Sequence, residues 1–92
     1  MMRDRSANAS LTLDRAVRRL RNMSEMMDRL GIDTDALAQA EISFTSVHRA
    51  CQFCSADEVC HDWLMRTSRS LKRAPAFCPN AKRFAHAKQL QV

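Results

Sequence analysis

The stretch LDRAVRRLRNMSEMMDRLG, residues 13–31, decides the fold class. Leu13, Val17, Leu20, Met23, Met27 and Leu30 recur there at intervals of three and four, the spacing that lays one apolar stripe along an α-helix. Gly31 supplies the stop, because a residue without Cβ accepts the left-handed conformation that closes many helices. Asp33 then offers a side-chain cap to a second helix carrying Leu37, Ala40, Phe44, Val47, Cys51 and Cys54 at the same spacing. Ser55 and Glu58 have the spacing of a capping box, which predicts a third helix from Ala56 with Cys60, Trp63 and Leu64 turned inward. A basic connection covers residues 67–76. Pro79, whose missing N–H costs nothing at a helix start, opens a last helix to about Leu90 with Ala81, Phe84 and Ala87 inward.

One Gly and two Pro among 92 residues leave no supply of tight turns for an all-β fold. The expected architecture is all-α, a small bundle of about four helices, with residues 1–10 a flexible lead and residues 11–92 one helical domain. Six Met against four Phe and one Trp make the core adaptable and poor in aromatics. A chain of this size draws roughly 3–5 kcal/mol from its core, a margin that a bound metal can exceed. No stretch approaches the roughly 20 apolar residues of a membrane span. The start, Met1-Met2-Arg3-Asp4-Arg5-Ser6, lacks the apolar run of a secretory signal, so the expected compartment is the cytoplasm, where thiols are kept reduced.

The chemistry lies in four cysteines, Cys51, Cys54, Cys60 and Cys78, spaced C-x2-C-x5-C-x17-C. They read as the ligands of one metal or iron–sulfur site. Cys54 precedes the start of the third predicted helix and Cys78 that of the fourth, so two helix N-termini point at one place. Four thiolates around Zn²⁺, or around an oxidised cubane cluster, carry a net charge of minus two, and the free N–H groups of helix starts favour negative charge. Zinc sites of four cysteines usually present two short knuckles and this chain has one, which puts an iron–sulfur cluster of the 4Fe-4S type ahead of zinc, with buried inert thiols or disulfides and no cofactor as the remaining reading. Trp63 and Phe77 are candidates to shield such a cofactor from water. His61 follows Cys60 but points about 100° away from it on a helix, so it is read as solvent-facing, as are His48 and His86. Cys51-Gln52-Phe53-Cys54 also has the form of a redox pair, although such pairs normally follow a strand in a βαβ setting that this chain lacks.

The x2 and x5 gaps in series resemble part of the cubane signature of endonuclease III type DNA glycosylases and of certain cluster-bearing nucleases, whose remote fourth cysteine lies upstream instead of downstream. Cys78-Pro79 resembles the Cys-Pro ending of bacterial ferredoxin runs. A fuller resemblance covers Met26-Met27-Asp28-Arg29-Leu30-Gly31-Ile32-Asp33, the cysteine run with Trp63-Leu64, and Pro75-Ala76-Phe77-Cys78-Pro79-Asn80 with Phe84. These segments resemble a family of short alphaproteobacterial proteins classed as a domain of unknown function, which implies this organisation of the chain and no catalytic residue.

Charge is unevenly spread. Residues 1–62 hold eight Lys or Arg against ten Asp or Glu, whereas residues 63–92 hold Arg66, Arg69, Lys72, Arg73, Lys82, Arg83 and Lys88 with no acid. That basic third suits nucleic acid or an acidic partner, or it balances an anionic cofactor beside it. A grip on single strands would interleave aromatics with the basic groups, and only Phe77 and Phe84, both expected inside, are at hand. No Gly-rich phosphate loop, H-E-x-x-H motif or nucleophile triad is present, and four cysteines on one metal leave no open position for substrate. The functional expectation is therefore a non-catalytic iron–sulfur protein in electron transfer, redox sensing or protein interaction, working with a protein or redox partner. The rival is a zinc-stapled adaptor that binds nucleic acid or an acidic partner through the basic third. A thiol oxidoreductase using Cys51 and Cys54 comes third.

Overall fold

In a computed structural model the backbone is described for residues 2–90 and the side chains for residues 13–90. The flexible lead expected over residues 1–10 falls where side chains lie outside the described residues. Five helices follow in order: α1 (Met2–Leu30), α2 (Thr34–Gln39), α3 (Phe44–Gln52), α4 (Asp57–Arg66) and α5 (Ala81–Gln89). No strand occurs among the described residues, so the chain is all-α with one helix more than the sequence predicts.

α1 ends as its sequence requires. Gly31 takes φ 71°. Its N–H donates to the Asp28 carbonyl at 3.1 Å, and that of Ile32 reaches back to Met27 at 2.9 Å, the paired bonds of a Schellman closure. Ile32 and Met27 are both buried, which supplies the apolar contact that accompanies this motif. Lys88 Nζ, arriving from α5, satisfies the last carbonyl of α1, at Leu30, at 2.8 Å.

The expected second helix is two. Asp33 caps α2 by accepting from the Ala36 N–H at 2.8 Å. Six residues later the chain closes a second Schellman motif, with Glu41 N–H to Ala38 O at 3.0 Å and Ile42 N–H to Leu37 O at 2.9 Å. Glu41, at φ 59°, occupies the left-handed position where glycine is usual. Ser43 then starts α3 afresh by accepting from the Ser46 N–H. The break turns Phe44 outward, to 44% exposure, while Leu37, Ala40, Val47 and Cys51 stay buried.

The start of α4 differs in its chemistry. The Ser55–Glu58 capping box does not form, and Ala56 stands at the cap position with no side-chain bond. Asp57 takes over as the buried first residue, its carboxylate facing Arg15, Arg18 and Arg19 of α1 at 3.4, 3.6 and 3.9 Å. The Asn22 side-chain amide donates to the Asp57 carbonyl at 2.9 Å, fastening α4 to α1. α5 begins at Ala81 with Asn80 as its cap residue, so Pro79 lies just outside the helix instead of opening it.

The core joins Met23, Met26, Met27 and Leu30 of α1 to Leu37, Val47, Cys51, Cys60, Leu64, Phe84 and Ala87. α1 is the spine, packed against α3, α4 and α5, with α2 lying on α3 and α5. Its apolar stripe is only half used. Leu13, Val17 and Leu20 are 65%, 51% and 45% exposed, because α3, α4 and α5 have nine or ten residues each and span only about 15 Å at 1.5 Å per residue. The connection from α4 to α5 is irregular as expected, and it is pinned to α1 where the Leu71 N–H donates to Arg29 O at 2.8 Å.

Candidate metal centre

Four separate pieces of backbone deliver the cysteines to one cavity. Cys51 comes from the last turn of α3, Cys54 from the turn after it, Cys60 from the first turns of α4, and Cys78 from the turn before α5; all four line the same space between α1 and these segments. None is paired in a disulfide. Met23, Met26 and Phe84 form the apolar floor, and Arg19 and Asp57 the polar side. All four cysteines line this cavity, yet among the described residues no three His, Cys, Asp or Glu side chains are grouped so as to hold one metal ion.

Local structure explains the placement. The Cys54 N–H donates to Cys51 O, a tight turn that brings the C-x2-C pair to the same side. The Cys78 N–H donates to Pro75 O and the Ala81 N–H to Cys78 O, so consecutive turns present Cys78 just ahead of α5. Asn80 locks the two ends together. It is fully buried, and its side-chain N–H group donates to Val47 O at 2.9 Å and to Cys51 Sγ at 3.2 Å. Its backbone N–H acts on the Cys78 thiol, opposing the upward shift that burial imposes. Its Oδ1 accepts from Arg83 at 3.0 Å, which fixes which way round the amide points.

Burial sets the acidity of the thiols. Desolvation, opposed by the Asn80 hydrogen bond and reinforced by Cys78 and Cys54, pushes Cys51 up to about 11. Cys60 is pushed up to about 12, by desolvation first and then by Cys78, Cys54, Cys51 and Asp57. Burial raises Cys78 as well, against the Asn80 backbone N–H and with Cys54. These three are neutral thiols at pH 7, and any metal must displace their protons. A nucleophilic redox cysteine is activated by the opposite shift.

The donor set fits a soft-metal cofactor. Four thiols line one space, Cys51 among them accepts the Asn80 side-chain N–H, and a cation lines the wall with an N–H to spare: Arg19 Nε is buried without a hydrogen-bond partner, although its Nη1 donates to Gln52 O at 2.7 Å. Phe77 lines the cavity at 36% exposure, further out than the sequence predicts, and the half-buried Trp63 packs edge-on against it at 6.1 Å without reaching the cavity itself. No histidine lines it; His61 and His86 are exposed, and the half-buried His48 stacks on Phe44.

Sequence reasoning does not find Asn80, Arg19 or Asp57. For Asn80 a signal exists, since Asn is a preferred helix-cap residue, but its side chain serves α3 and a cysteine instead of its own helix. Arg15, Arg18 and Arg19 form one helical face, i, i+3 and i+4, aimed at a carboxylate 38 to 42 positions away that no local pattern indicates. Of the seven basic residues singled out in the last third, Arg66, Arg69, Lys72, Arg73, Lys82 and Arg83 are exposed, while Lys88 is half-buried and spent on the α1 terminus.

Residues 11–90 match the profile of a family of unknown function, DUF6455. No curated protein and no solved structure matches the chain.

Proposed function

The chain belongs to this family of unknown function, and we propose that it is a small iron–sulfur protein whose cluster, of the 4Fe-4S type, is held by Cys51, Cys54, Cys60 and Cys78. The observation that carries the reading is the convergence of all four thiols, from four backbone segments, on one cavity beside which Asn80 donates to the Cys51 sulfur. A cluster spreads its four metal corners toward ligands that surround a space, whereas a tetrahedral zinc ion draws its sulfurs to about 2.3 Å from one point. Cysteines that line one cavity without grouping around a single ion suit the first arrangement. When bound, the cluster supplies a site for one added electron; the chain's residues hold it, exclude water and temper its charge.

The charge pattern supports this. Arg19 lines the cavity and Arg15 and Arg18 stand behind it, so a dianionic group would sit beside cationic side chains that outnumber Asp57. With every thiol committed, no coordination position is left for substrate, which favours electron transfer or redox sensing with a partner over hydrolysis. The exposed Arg66, Arg69, Lys72, Arg73, Lys82 and Arg83, in a third of the chain without a single acid, form the surface for an acidic partner.

Anaerobic purification with analysis for iron, acid-labile sulfide and zinc tests the assignment. Iron and sulfide in equal amounts, with a broad visible absorption that bleaches on reduction, are expected. Colourless protein with one zinc would assign the site to a structural staple, and metal-free protein that takes up neither would remove the cofactor.

A further inference from the structure

Asn80 is polar, fully buried, and bonded through both side-chain polar atoms, Nδ2 to Val47 O and Cys51 Sγ and Oδ1 to Arg83, while its backbone N–H opposes the upward shift of the Cys78 thiol. A buried amide that only braced α5 against α3 would need the Val47 bond and no more. Instead, one residue reaches the first and the last cysteine of the chain's run, which lie 27 positions apart in sequence.

We infer that Asn80 is the positioning residue of the cluster site, setting the reduction potential of the bound cluster by donating its side-chain N–H to the Cys51 sulfur. The inference rests on the iron–sulfur reading and goes beyond it by assigning the control of potential to one residue. The physical reason is direct. Adding an electron makes the cluster and its thiolates more negative, and N–H groups aimed at sulfur stabilise the reduced form more than the oxidised one. Their removal therefore lowers the potential. Asp is nearly the same shape as Asn but offers oxygens in place of the Nδ2 donor, so Asn80→Asp removes the donation to Cys51 and turns a dipole into a repulsive charge.

The test is a one-electron redox titration of iron-loaded wild type, Asn80→Asp and Leu37→Ala. Leu37 is buried in α2 and lines no part of the cavity, so its truncation lowers stability without touching sulfur. At a fixed ambient potential the reduced-to-oxidised ratio of Asn80→Asp should fall at least about tenfold, which is about 59 mV for one electron, while Leu37→Ala matches wild type. If Asn80→Asp does not fold, or folds without iron, Asn80→Ser is read in the same titration. A loaded Asn80 variant with an unchanged potential would overturn the inference and leave the cluster reading standing; wild type that takes up no iron would overturn both.

Discussion

Gly31 and Glu41 close two successive helices with the same left-handed backbone, at φ 71° and 59°. Each sits between the paired bonds of a Schellman motif, and each is exposed. They differ only in side chain, and an L-residue in this conformation carries a penalty of roughly 1–2 kcal/mol, of which glycine's extra freedom in the unfolded chain gives back part.

Glu41→Gly should therefore stabilise the protein by about 0.5–1 kcal/mol, and Gly31→Ala should destabilise it by about 1 kcal/mol. A Cβ at Gly31 would meet nothing within 4 Å, so the second change is conformational and not steric. Urea unfolding of the metal-free protein under reducing conditions reads both; a destabilised Glu41→Gly would mean that the Glu41 side chain makes a compensating interaction.

This pair also shows where the sequence is legible. Gly31 announces its turn, and the periodic stripes announce α1, α4 and the inward faces of Leu37, Val47, Phe84 and Ala87. Glu41 announces nothing, because its neighbours keep the helical spacing through the break and Glu is a good helix former. The meeting of cysteines at one cavity can be anticipated from their spacing and from the places of Cys54 and Cys78 ahead of helix starts. Asn80 and the Asp57–arginine cluster cannot, since each joins segments about 30 to 40 residues apart, and Leu13, Val17 and Leu20 keep helical periodicity whether or not anything packs on them.

Asp57 is 3% exposed amid Arg15, Arg18 and Arg19, whose side chains are 54%, 37% and 18% exposed. Asp57→Asn leaves cations that can partly turn to water, so the expected loss is about 1–3 kcal/mol, below that of a fully buried pair. Glu58→Gln, on an exposed side chain, should stay within about 0.5 kcal/mol. Chemical denaturation of the two variants checks this, and equal losses would show that the Asp57 cluster is no anchor for α4.

The raised thiols fix a pH dependence with a definite sign. Cys51 and Cys60 ionise near 9.0 when unfolded and at about 11 and about 12 when folded, so the unfolded chain gives up protons first. The metal-free protein should be fully stable below pH 9 and lose stability as pH rises through 9 toward 12. Metal binding runs the other way. Each displaced thiol proton strengthens apparent affinity up to about tenfold per pH unit in the same range and below it. Thermal melts and Co²⁺ titrations across pH, under reducing conditions, check both; an affinity indifferent to pH would exclude thiolate ligation.

Arg69, Lys72 and Arg73 lie exposed in the α4–α5 connection. Replacing all three by Gln should flatten the salt dependence of binding to an acidic probe, polyglutamate or a DNA oligonucleotide, and on duplex DNA the slope should change by about 0.9 for each phosphate no longer neutralised. Iron content should not change. An unaltered slope on both probes would move the docking surface elsewhere.

The most direct measurement is the iron and sulfide content of anaerobically prepared protein, wild type beside Cys78→Ser. The account predicts about four irons and four sulfides per wild-type chain and a large loss of both in the variant, because Cys78 is the remote ligand that joins α5 to the cysteines of α3 and α4. Wild type that carries zinc alone, or iron held equally well without Cys78, would contradict it.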